Sequence, residues 1–163
     1  MNRKYFNLIT IQFYIWFMFA SHANKTENPK DFSFKIIQTT SEFNSKTGKY
    51  RRQYKEKDST VNVKLDDKEI RKIQKLIVDL NFKNFPEKFE CSKNSVFIVP
   101  SFETTIEISI NGKLKKTTNT SYCDTKVQQK MSYNFDEITT LINRILDSKK
   151  EIKNMRRCDM IFE

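Results

Sequence analysis

Histidine is almost missing from this chain, glycine occurs only twice, and beyond the first two dozen residues there is no long apolar run. The one histidine, His22, lies in an N-terminal leader. A chain that sheds this leader has neither the commonest general base nor the commonest metal ligand. The two glycines, Gly48 and Gly112, cannot make a glycine-rich phosphate loop and read as turn residues. The three cysteines, Cys91, Cys123 and Cys158, are widely spaced with no CxxC, which argues against a metal or nucleophile role. A nucleophilic serine would have to rely on lysine as its base, and no SxxK spacing falls in a suitable setting. The carboxylates are scattered, and Asp66, Glu69 and Glu137 read as helix-capping groups rather than a catalytic pair. The expectation is a protein that is not an enzyme and needs no cofactor or metal.

The N-terminus has the three zones of an export signal. Arg3 and Lys4 give a positive start, and Leu8–Ala20 is apolar except for Thr10 and Gln12. Ser21-His22-Ala23 then sets small residues at the −3 and −1 positions, so residues 1–23 read as a signal peptide cleaved after Ala23. The alternative is an uncleaved anchor, but a spanning helix needs about 20 apolar residues. No cysteine adjoins the cleavage site, which argues against a lipoprotein anchor. Export implies a periplasmic or secreted protein. Cleavage lowers the formal charge from +10 to +8, with 28 basic against 20 acidic residues.

In an oxidising compartment three cysteines imply one disulfide and one odd thiol. The favoured pair is Cys91–Cys123; closing a loop of about thirty residues would stabilise by roughly 3–4 kcal/mol in the chain-entropy model. A pair involving Cys158 stays open. About 140 residues remain after cleavage, which fits one domain able to bury about two-thirds of its surface.

Residues 24–31 read as a leader, 32–155 as a single α+β domain, and 156–163 as a tail. Phe32, Phe34 and Ile36 alternate with polar residues, as do Tyr50, Arg52 and Tyr54, and then Val61, Val63 and Leu65. Ser41 to Lys49 reads as a loop or hairpin connection, so this region predicts two or three antiparallel strands. Asp66 with Glu69 three residues on marks a helix start, followed by the stripe Ile70, Ile73, Ile77, Leu80. Phe82, Phe85-Pro86 and Phe89 read as plugs of the helix–sheet seam. Val96–Val99 is a short apolar run stopped by Pro100. Phe102 to Ile110 alternates cleanly into Asn111-Gly112, the strongest short hairpin signal. The return strand from Lys113 is rich in Thr and Lys, as suits an edge. A second helix is expected from about Asn134, with Glu137 in capping register and a stripe from Ile138 to Leu146.

The order β-β-α-β-β-α predicts an antiparallel sheet of about four to six strands with both amphipathic helices on one face. The other face is then partly exposed and is where function is expected. Two basic groups, Arg51, Arg52 and Tyr54 on one hairpin and Lys113, Lys115 and Lys116 on the other, would form an anion-binding surface if adjacent. Export argues against nucleic acid as the ligand and for an anionic envelope lipid, a polysaccharide or an acidic exported or envelope protein. The competing reading is a solvated strand face. Asn24-Lys25-Thr26 and Asn119-Thr120-Ser121 match the glycosylation sequon, which matters only in a eukaryotic pathway.

Leu65 to Ile70 (LDDKEI), Phe85-Pro86 and Asn111 to Lys113 (NGK), spread over residues 31–155, make the layout resemble small exported bacterial proteins of unknown function. The resemblance implies a hairpin-helix-hairpin-helix fold and an extracytoplasmic site of action, and supplies no catalytic residue. Three functions follow as expectations: an exported binding or accessory domain, a periplasmic inhibitor or immunity-type protein, or an enzyme with an unfamiliar site.

Overall fold

The period-two segments pair into one sheet. A computed structural model describes residues 31–89, 103–120 and 128–160. Phe32–Gln38 (β1), Ser41–Asn44 (β2), Lys49–Arg52 (β3) and Ser59–Asn62 (β4) run as a meander, and the hairpin Glu103–Ile110 (β5) with Lys113–Thr120 (β6) adds to the other side of β1. The six strands are antiparallel in the order β4-β3-β2-β1-β5-β6. Asn111 and Gly112 both take positive φ, 51° and 75°, the conformation that a two-residue hairpin turn demands.

Two long helices, Asp67–Asp79 (α1) and Gln129–Ser148 (α2), are followed by the short Lys150–Lys153 (α3). The inward side chains Phe34, Ile36, Phe43, Tyr50, Ile106 and Ile108 join Ile73 and Ile77 of α1 and Phe135, Ile138, Ile142 and Leu146 of α2 in one apolar cluster. Burying each such side chain contributes about 1.5–3 kcal/mol. The fold is α+β, with six strands and two long helices. Phe82, Phe85 and Phe89 are buried in the same cluster, and the Phe89 ring meets the edge of Phe135 at 5.8 Å.

Local signals hold at α1 in atomic detail. The Glu69 amide donates to Asp66 Oδ1 at 2.8 Å and the Asp66 amide to Glu69 Oε2 at 2.9 Å, a reciprocal capping box. Glu69 also receives Lys149 Nζ on both oxygens, at 2.7 and 2.6 Å, which ties the start of α1 to the end of α2.

Three expectations need correction. Ser41 to Lys49 contains the strand β2; its four residues hold one apolar side chain, Phe43, too few to show a period. The region therefore has four strands, not two or three. The second helix starts at Gln129 rather than Asn134, because its first turn projects Met131 and Tyr133 into solvent and carries no apolar stripe. Glu137 consequently lies inside α2 and caps nothing, and α2 has no side-chain cap.

Residues 156–159 run back along the domain. Arg52 Nη1 and the Tyr54 hydroxyl donate to the Arg156 carbonyl at 2.9 and 2.7 Å, and the Lys55 amide donates to Asp159 Oδ1 at 3.1 Å. The Cys158 thiol is free and exposed, donating to the Gln53 carbonyl at 3.5 Å. The signal segment with Ala23, the Val96–Val99 run and the Cys91–Cys123 pair lie outside the described residues.

Candidate functional site

Alternation fixes what the uncovered face of the sheet displays. When Phe34, Ile36, Phe43, Tyr50, Ile106 and Ile108 point to the helices, Lys35, Glu42, Arg51, Glu107 and Lys116 point the other way. Register then sets them in a row across five strands with alternating sign. Arg51 lies opposite Glu42 and bonds it at 3.1 Å; Glu42 bonds Lys35 at 2.9 Å. Lys35 lies opposite Glu107, and Glu107 opposite Lys116, with 3.6 Å between their charged atoms. Asp58 extends the row at 3.5 Å from Arg51. Around it stand Ser33, Ser109, Thr105 and Thr118, the last two sharing a hydroxyl hydrogen bond of 2.8 Å.

These charges hold one another. The Lys35 ammonium bonded to Glu42 lowers that carboxyl below its ordinary value, against some burial and with further help from Arg51. Exposed ion pairs contribute about 0.2–1 kcal/mol each, so the row adds little stability. Its consequence is geometric: each of the five side chains lies against a neighbour of opposite sign.

The residues expected to bind are not brought together. Arg51 belongs to the row, but Arg52 and Tyr54 stand on the helix-covered side and hold the tail. Lys116 is on the open face, whereas Lys113 and Lys115 alternate to the other side of β6. Strands β3 and β6 are separated by β2, β1 and β5, roughly 19 Å at ordinary strand spacing. A single basic, aromatic patch is therefore not formed, since the meander and the added hairpin place both clusters at opposite sides of the sheet. Lys35, Glu42 and Glu107 were missed by sequence reasoning. Their signal was present as the polar half of each alternation, but strand pairing is needed to align it.

Elsewhere, a groove of about 390 Å³ lies between α1 and α2, lined by Lys72, Lys75, Asp79, Glu137 and Arg144. It is open and mixed in charge. At the α2 end of β6, Asn119 donates to Ser132 Oγ at 3.0 Å and to Asp136 Oδ1 at 3.4 Å. Desolvation raises the Asp136 carboxyl, and the Asn119 bond draws it partly back. Asn119, the first residue of this sequon, is buried, and Ser121 lies outside the described residues. Among the described residues there is no cluster of three His, Cys, Asp or Glu side chains that could hold a metal, and no helix long and apolar enough to cross a membrane. No protein-family model matches the chain, and no curated protein is similar to it.

Proposed function

We propose that the protein is a non-enzymatic binding domain acting outside the cytoplasm, engaging an exported or envelope protein through the open face of its sheet. The observation that carries this reading is the row Arg51–Glu42–Lys35–Glu107–Lys116. A polyanion would prefer cations free of carboxylate neighbours. Here Arg51, Lys35 and Lys116 each have one within 3.6 Å. An alternating row is matched by a protein surface with the complementary alternation, which gives register and partner choice more than raw affinity. This favours the inhibitor or immunity-type version of the reading, with one dominant partner. The extracytoplasmic placement rests on the segment Leu8–Ala20 and its flanks.

The two ligand classes respond with opposite sign to Glu42→Lys/Glu107→Lys. Immobilised wild type should retain one exported protein from its source in a one-to-one ratio, and the double variant should lose it. Retention on heparin and on phosphatidylglycerol vesicles should be weak for wild type and rise in the variant. Strong wild-type binding to heparin or vesicles, with no protein retained stoichiometrically, would defeat the proposal.

A further inference from the structure

The two edges of the sheet are built differently. Along β6, the outward backbone of Thr118 is already taken: its amide donates to the Glu87 carbonyl at 2.8 Å and its carbonyl accepts from the Phe89 amide at 3.0 Å. The rest of that edge carries Lys113, Lys115 and Lys116, and two such edges brought together would set lysines against lysines. Ser59-Thr60-Val61-Asn62 of β4 has no charge and no proline, and although the short helix α3 lies against β4, no described backbone is hydrogen-bonded to its outer edge.

The phase of β4 is known. The Val63 amide donates to the Gly48 carbonyl at 2.7 Å, and continuing in steps of two, Val61 bonds Tyr50 and Ser59 bonds Arg52. Thr60 and Asn62 therefore turn their N–H and C=O groups outward, where they meet no backbone partner among the described residues.

We infer that β4 pairs antiparallel with β4 of a second copy of this chain, centred on Val61. Outward groups can bond only outward groups, so Thr60 must face Thr60, Asn62, or a position two further on. Facing Thr60 with Asn62 of the other copy forms four backbone hydrogen bonds. The same register sets Val61 against Val61 on the covered side, where this side chain already packs on the core. It also sets Asp58 directly opposite Lys64, twice, on the open side. A shift of two residues toward the C-terminus would oppose Asp58 to Asp66, a like-charge pair. The opposite shift, Thr60 on Thr60, would set Asp58 against the uncharged Asn62 and leave Lys64 facing Glu56, which lies in a bend beyond the strand. The charge pattern thus favours the register centred on Val61, and the product is a continuous sheet of twelve strands. The pairing shares Asp58 with the open-face row but does not depend on what binds there.

Sedimentation velocity of the full chain in a Cys158→Ser background, from micromolar to millimolar concentration, should show reversible dimerisation with no contribution from disulfide-linked pairs. Asn62→Pro should remain monomeric with an unchanged circular dichroism spectrum, because its amide serves no intramolecular bond. Asp58→Lys should weaken the dimer about tenfold, as expected for two like-charge cross-strand pairs. Asp58→Lys/Lys64→Asp should restore it, although the lost contact with Arg51 is not restored. A monomer at every concentration, a dimer indifferent to Asn62→Pro, or a double variant no tighter than Asp58→Lys would each overturn the inference.

Discussion

The two faces of the sheet are made by the same strands, residue by alternate residue, yet do different work. Phe43 is 1 % exposed beneath the helices, and its neighbour Glu42 holds an ion pair on the far side. The covered face supplies the free energy of folding, since apolar burial is its content. The open face supplies almost none, and has side chains ordered by one another instead.

The sharpest way to break this contrast is a pair of neighbouring substitutions. Phe43→Ala should cost about 3–5 kcal/mol in urea unfolding, and Glu42→Ala less than about 1 kcal/mol. Equal costs would erase the distinction between the faces. A smaller effect is expected at the Glu69–Lys149 clamp, whose side chains are largely buried. Lys149→Ala leaves the Glu69 carboxylate without its cation and should cost about 1–2 kcal/mol, between the exposed and buried limits. At Thr117, a fully buried residue of β6 whose hydroxyl has no hydrogen-bond partner among the described residues, Thr117→Val should raise stability by about 0.5–1 kcal/mol. A loss would mean that this hydroxyl is satisfied in solution and that the covered face tolerates polarity better than the contrast allows.

The smallest effect is one of pH. The folded Glu42 carboxyl lies below its ordinary value of 4.5. Its stabilising contribution is therefore full above that value and fades as pH falls through the lower folded one. Wild type should lose a fraction of a kcal/mol relative to Glu42→Gln across that interval, and the two should converge in stronger acid.

Much of the fold was legible because it is written in local chemistry. The capping pair Asp66 and Glu69, the Asn111-Gly112 turn and the stripes of both helices each name their own structure. Strand β2 was not legible, since a four-residue strand with one apolar side chain carries no period. The first turn of α2 escaped because Met131 and Tyr133 face solvent and follow no buried stripe. The site was the least legible part. That Arg51, Glu42, Lys35, Glu107 and Lys116 form a row depends on strand register, with the facing residues Lys35 and Glu107 72 positions apart in sequence, which no local pattern encodes. Clusters that looked continuous in sequence, such as Arg51 and Arg52, are split by alternation onto opposite faces.

The central claim is that the row on the open face is where a protein partner sits. ¹⁵N-labelled protein, titrated with the exported protein that immobilised wild type retains, reports this through its amide shifts. The account predicts perturbations concentrated at Lys35, Glu42, Arg51, Glu107 and Lys116 and their open-face neighbours. Perturbations confined to Lys72, Lys75, Arg144 and the rest of the groove between α1 and α2, with the row unmoved, would contradict it.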